Sequence, residues 1–144
     1  MNIDQTQAEI VDDFSFFEDW MDKYEYIIQL GKELPIIDAA YKTPEHLIKG
    51  CQSQVWMHAE EKDGKVYFTA DSDALITKGL VSLVIKVLSG HPAAEIAQSE
   101  LTFIEKIGLK SHLSPTRSNG LLSMVKQMKL YAYTYMAQQQ LKSQ

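Results

Sequence analysis

Cys51 is the only cysteine in the 144-residue chain, and the segment around it, Ile48-Lys49-Gly50-Cys51-Gln52-Ser53-Gln54-Val55-Trp56, points most directly to chemistry. Gly50 permits a tight or left-handed turn and close backbone approach, while Gln52, Ser53 and Gln54 keep the surroundings polar. The pattern predicts a thiol at the tip of a loop that leads into a strand. A free thiol ionises near pH 8.5, so roughly a few per cent is thiolate at neutral pH, and Lys49 or exposed loop amides would raise that fraction. A lone cysteine is equally readable as a small buried hydrophobe, and composition leaves both readings open. The count of one excludes an internal disulfide, a CxxC redox pair, a zinc site of several thiolates and an iron-sulfur cluster held by cysteines of this chain alone.

The remaining polar candidates are fewer. His46, His58, His91 and His112 form no HxxxH or HxH pair, and Asp71-Ser72-Asp73 reads as a helix cap, so no metal site is expected. A one-cysteine thiol enzyme, a peroxidase or hydrolase, would need a base beside Cys51, and His112 in a polar stretch is the candidate. Arg117, between Pro115 and Gly120, is suited either to bind an anion or a carboxylate such as Asp73, or to remain a solvated loop residue.

These residues need elements to position them. Thr6-Gln7-Ala8-Glu9 reads as a capping box opening a first helix with Ile10, Phe14 and Phe17 on one face. A second stripe, Trp20, Tyr24, Ile27 and Ile28, ends at Gly31, read as the left-handed residue that closes the helix. Lys32 to Lys49 is an irregular connection containing Pro35 and Pro44. Two strand-like runs, Gln52 to Ala59 and Lys65 to Ala70, flank an Asp63-Gly64 turn and predict an antiparallel hairpin. Asp71-Ser72-Asp73 then caps a helix from Ala74 to Leu88 that is apolar around most of its circumference, as a central buried helix against the sheet must be. Short helices follow at Pro92 to Ala97 and Thr102 to Ile107, then a turn-rich loop from His112 to Gly120, and a last helix from Leu121 to about Met136.

At 45% hydrophobic and 23% charged residues, the composition suits a single domain over 1–144, with residues 1–5 and 138–144 expected to fray. Fourteen basic against nineteen acidic residues give a net charge of -5 with no basic run, which argues against a nucleic-acid partner. No window offers the roughly 18 consecutive apolar residues of a membrane helix, and Met1-Asn2-Ile3-Asp4 lacks the character of a signal peptide. A cytoplasmic protein without a membrane partner is expected.

Gly50-Cys51-Gln52-Ser53-Gln54-Val55-Trp56, Asp71-Ser72-Asp73-Ala74 with Lys78-Gly79-Leu80, and His112-Leu113-Ser114-Pro115-Thr116-Arg117-Ser118-Asn119-Gly120 together resemble the SufE family of sulfur acceptors. Tyr24 to Gly31 and Leu34-Pro35 match its N-terminal helical part, so the resemblance covers roughly Phe14 to Tyr133. It implies an α+β fold similar to the iron-sulfur scaffold protein IscU, with a small antiparallel β-sheet of about three strands packed against helices. It implies that Cys51 accepts persulfide sulfur from a PLP-dependent cysteine desulfurase of the SufS or CsdA type and stimulates it. The sulfur then passes to an Fe-S scaffold complex of the SufBCD kind. The chain would be a sulfur-transfer partner rather than a stand-alone enzyme, a monomer or homodimer without a cofactor of its own, since PLP resides on the desulfurase. One thiol suffices for such relay, because a second nearby cysteine would attack the new persulfide and release sulfide. By the same resemblance Lys49, Gly50, Gln52, Ser53 and Gln54 shape the loop and contact the partner, with His112 in support. Asp73 and Arg117 would meet near the loop and hold it sheltered until the desulfurase docks. The CsdE branch, which serves a different desulfurase, shares these motifs.

Overall fold

Alternating burial along residues 55–72 builds a hairpin with one face turned inward. In the structure, a computed structural model that describes residues 1–142, β1 (Val55–Lys62) and β2 (Lys65–Ser72) pair antiparallel from Val55↔Ser72 to Lys62↔Lys65. Asp63 (φ 53) and Gly64 (φ 80) supply the two positive-φ positions that a two-residue turn matched to the strand twist requires. A two-residue strand that the sequence reading did not separate, β3 (His91–Pro92), pairs with the start of β2, giving the order β1-β2-β3. The inward residues Val55, Met57, Ala59, Val66, Phe68 and Ala70 are buried in the hydrophobic core. The expected small three-stranded antiparallel sheet is therefore present, with its first strand starting at Val55 rather than Gln52.

The helix across the sheet is α3 (Leu75–Leu88), in which Gly79 through Ile85 are buried without interruption, as its all-round apolar pattern requires. It is not capped by a side chain of the 71–73 triplet: Ala74 is the N-cap residue, and Asp71 and Ser72 still belong to β2. The helical hairpin of α1 (Ile3–Ser15) and α2 (Trp20–Gly31) packs on α3. Gly31 lies inside α2 rather than closing it. Its role is proximity, for an added Cβ would come within 3.1 Å of the Gly79 amide nitrogen, and one on Gly79 would overlap the Ile27 carbonyl oxygen, with the carbonyl carbon only 2.7 Å away. The backbones of α2 and α3 cross in contact there.

The first helix begins at Ile3, not at the Thr6 box. Asn2 accepts the Gln5 amide at 2.8 Å while the Gln5 side chain accepts the Asn2 amide at 3.0 Å, and the Thr6 hydroxyl donates to the Asn2 carbonyl instead. Ile3 is buried, so residues 3–5, expected to fray, lie in a capped helix. Beyond the sheet come α4 (Ala93–Gln98), α5 (Phe103–Lys106), α6 (Leu109–His112) and α7 (Pro115–Lys142). Two expectations are corrected by α7. The stretch to Gly120 is not all loop, because Pro115 occupies the first helical turn and Ser114 Oγ accepts the Arg117 amide at 3.3 Å. The helix also continues past Met136 to Lys142, so residues 138–142 are helical, while the rest of the expected frayed tail, 143–144, lies outside the described residues.

β1 is an edge strand, and three of its outward carbonyls are taken by groups outside the sheet. Val55 accepts the Ile48 amide at 2.9 Å, Met57 the Tyr131 hydroxyl at 3.3 Å, and Ala59 the Tyr135 hydroxyl at 2.9 Å. The segment before the cysteine and α7 thus cover the edge that would otherwise be free to pair with another chain.

Candidate functional site

The Cys51 loop spans residues 49–54 and is pinned at its neck, where buried Ile48 donates to Val55. Gly50 has φ +90, a conformation that favours glycine, and an added Cβ would stand 2.6 Å from Ser123 Oγ on α7 and displace that hydroxyl. That turn directs Cys51 under the start of α7. Its Sγ donates to the Gly120 carbonyl at 3.5 Å and faces a cavity of about 80 Å³. Thr77 and Leu80 of α3 form one wall, and Thr116, Arg117, Gly120 and Met124 of α7 the other.

Cys51 is half-buried, and burial pushes its thiol pKa up. The expectation that Lys49 or loop amides raise the thiolate fraction is corrected, because Lys49 lines a separate groove on the other side of Gly50. Burial dominates and the resting thiol is neutral at neutral pH. Gln52 and Ser53 line the thiol cavity, whereas Gln54 is exposed at the loop exit.

Asp73 secures that exit. Its carboxylate accepts the Gln54 amide at 3.0 Å, its own amide donates to the Gln54 carbonyl at 3.3 Å, and Ser72 Oγ donates to the same carbonyl at 2.8 Å. Arg117 forms part of the cavity wall, yet it makes no ion pair with Asp73: the expected meeting of the two does not occur. Each borders the loop separately. The carboxylate that does pair is Asp71, 3.0 Å from Lys42 and 3.4 Å from Lys78. Burial raises its pKa, but the Lys42 and Ser72 hydrogen bonds and the Lys78 charge outweigh that and leave it below the usual range.

His112 is not a base for Cys51. Its ring stacks on Trp20 at 3.9 Å, its Nδ1 lies 3.0 Å from the Gly108 carbonyl, and its own carbonyl accepts the Tyr24 hydroxyl. Among the described residues, no histidine or carboxylate lines the thiol cavity, and no group of three His, Cys, Asp or Glu side chains could hold a metal ion. Thr77, Thr116, Gly120 and Met124 were not singled out by sequence. Only Ser114-Pro115, an N-cap followed by a first-turn proline, signals that residues 116–124 form a helical wall.

A single half-sheltered thiol, on a loop closed at its neck and over a cavity with room for a sulfur atom or a few waters, defines a small α+β protein whose chemistry is carried on one sulfur. Comparison with known proteins agrees. The model of the SufE family, described as an Fe-S metabolism associated domain, matches residues 8–132, and the chain belongs to that family. An uncharacterized SufE-like protein of Rhizobium etli is 45% identical over 126 residues, which cover 84% of this chain and 85% of that one. The sulfur acceptor protein CsdE of Escherichia coli is 37% identical over 110 residues, 75% of each chain. A solution structure of a hypothetical protein from Thermus thermophilus superposes with a TM-score of 0.76, covering 92% of this chain and 96% of that chain at 16% identity, a likeness of fold alone. Among the described residues, no helix is long and apolar enough to cross a membrane.

Proposed function

We propose that this chain is a sulfur acceptor in iron-sulfur metabolism, taking persulfide sulfur onto Cys51 from a PLP-dependent cysteine desulfurase of the SufS or CsdA type in the cytoplasm. The observation that carries this reading is the thiol cavity. It is small, about 80 Å³, it holds no histidine or carboxylate beside the thiol, and it leaves space beside Sγ for one more sulfur.

The step balances as thiol exchange. Cys51 loses its proton to solvent or the partner, and the thiolate attacks the terminal sulfur of the donor's persulfide. The donor's S–S bond breaks, its cysteine leaves as a thiolate, and Cys51 carries S–SH. Sγ rests half-buried under α7, and release of the loop's contacts to Gly120 and Asp73 presents it to the donor. Leaving the cavity removes the burial that holds the thiol neutral, so the nucleophile forms where the donor is. Returning, the persulfide is shielded from other thiols between Leu80 and Met124. Onward transfer to an Fe-S scaffold of the SufBCD kind repeats the exchange with the roles reversed. The chain carries sulfur and stimulates the desulfurase, with PLP on that partner.

The test is intact-mass spectrometry of wild type and Cys51→Ser after incubation with a SufS-type desulfurase, PLP and L-cysteine without reductant. Wild type alone should gain the mass of one or more sulfur atoms while desulfurase turnover rises. Failure of wild type to gain sulfur with several desulfurases overturns the proposal.

A further inference from the structure

Across Gly50 from the thiol lies a second, larger depression. A groove of about 410 Å³ runs between segment 45–49 and the middle of α7, with Ile48 and Tyr131 in its floor and Leu130 on its side. Leu130 is 48% exposed, a large apolar side chain open to solvent. The groove and the thiol cavity share a boundary: Gly50 abuts Ser123, which lines the groove, while its helix neighbours Gly120 and Met124 line the cavity. Whatever occupies the groove is one helical turn from Cys51.

Its charge is opposite to that of the whole molecule. Lys49 and Lys126 both line the groove and are both exposed, against one carboxylate, Glu45. Neither lysine belongs to an ion pair, for those among the described residues engage Lys42 and Lys78 with Asp71 and His58 with Glu60. In a chain of net charge -5, two unpaired cations flanking an apolar strip form a local cationic field. The volume greatly exceeds that of a single carboxylate or phosphate, and a small anion makes no use of Leu130.

We infer that this groove docks an acidic polypeptide segment, carboxylates toward Lys49 and Lys126 and an apolar side chain toward Leu130, belonging to the protein that donates sulfur to Cys51. The inference rests on the acceptor reading for the identity of the partner, while the groove's preference for acidic peptide stands on its own lining. Rim charges of this kind act on encounter and register, and salt screens them.

The test follows the initial rate of mass gain on Cys51 against the concentration of this chain at fixed SufS-type desulfurase. Lys126→Glu should raise the half-saturating concentration about fivefold, and Lys49→Glu with it about tenfold or more, falling on half-saturation more than on the rate at saturation. The same charge change at the hairpin tip, Lys62→Glu with Lys65→Glu, should shift it less than twofold. A hexaglutamate peptide should compete with the desulfurase for wild type and not for Lys126→Glu. The inference is overturned if Lys126→Glu saturates at the wild-type concentration, or if the hairpin pair shifts it as far. If wild type gains no sulfur, the acceptor reading fails and the groove is judged by NMR: hexaglutamate must perturb the Lys126 and Gln127 amides in wild type and not in Lys126→Glu, and silence in wild type overturns it.

Discussion

The Cys51 thiol donates to the Gly120 carbonyl and is held neutral by burial, two effects that both disfavour the thiolate. Its alkylation by iodoacetamide should therefore be slower at neutral pH than that of an unfolded control and should climb with a midpoint above the ordinary thiol value. A midpoint at or below that value would mean the loop rests open. The sign carries over to folding: a pKa raised in the folded state adds stability that is complete below the unfolded value and is lost as pH rises through the folded one. Alkaline stability of wild type should thus fall relative to Cys51→Ser. Gly120 separates shelter from capacity. A Cβ there would make ordinary contacts, 3.5 Å from Cys51 Sγ and 3.8 Å from its Cα, inside a helix where alanine is favoured over glycine by about 0.8–1.0 kcal/mol. Gly120→Ala should hold or raise thermal stability while reducing sulfur retained on Cys51 several-fold, because the methyl group occupies the cavity. Unchanged sulfur loading in a stable Gly120→Ala protein would show that the persulfide does not return to that cavity.

The α2/α3 crossing shows why some elements are readable in sequence and others are not. Gly79 sits in α3 with the Ile27 carbonyl overlapping the place its Cβ would take, so Gly79→Ala must push two helices apart. It should cost about 2–3 kcal/mol in denaturant unfolding, the range of an overpacked core, whereas Gly64→Ala, with open space but φ +80, should cost about 1–2 kcal/mol. Equal costs would place the burden on backbone conformation rather than on the crossing. The α3 helix and the β1–β2 hairpin are legible because their signals are local: a run from Leu80 to Ile85 that is apolar but for Ser82, alternation from Val55, and Asp63-Gly64 between. The start of α1 lies earlier than its Thr6–Glu9 box suggests because a second capping box, Asn2 to Gln5, directly precedes it, and burial of Ile3 favours the Asn2 one. Gly31 carried the composition of a helix end, yet its use depends on a neighbour 48 positions away, Gly79. The site divides in the same way. Gly50-Cys51 declared a turn and a thiol through adjacent residues, but the walls at Thr77, Leu80, Gly120 and Met124 exist only once α3 and α7 are packed. Asp73 and Arg117 stand in the motifs and each borders the loop, but the meeting expected of them does not occur: the Asp73 carboxylate holds the Gln54 amide instead.

At the scale of the whole molecule α7 is a backing strut about 42 Å long at 1.5 Å per residue, and the Cys51 loop rests against its first turns. Along its length it walls the thiol cavity with Gly120, lines the groove with Lys126, closes the β1 edge with Tyr131 and Tyr135, and reaches Glu61 with Gln139. Tyr133 and Lys129 tie it to carbonyls at the end of α4, on Ala97 and Ser99. Against that framework the loop is held by the thiol on Gly120 and, at its exit, by Gln54, whose amide meets the exposed Asp73 carboxylate and whose carbonyl accepts from Ser72 Oγ and the Asp73 amide. On the proposed function, sulfur transfer needs only a local opening of that loop, at a free energy below that of global unfolding. Native-state hydrogen exchange should show it. The Gln54 amide should exchange by a route insensitive to low denaturant, while amides from Leu80 to Leu88 in α3 exchange only as the whole domain unfolds. Asp73→Ala should speed Gln54 exchange about tenfold, matching the roughly 1.5 kcal/mol that a hydrogen bond to a charged group contributes, and leave α3 protection within about twofold. Arg117→Ala should add to that effect independently, because the two side chains are unpaired. If Gln54 proves as protected as α3, or if Asp73→Ala loosens both alike, the loop and the framework open as one body, and access to Cys51 would require a partner able to unfold the end of α7 rather than one that captures a loop already in motion.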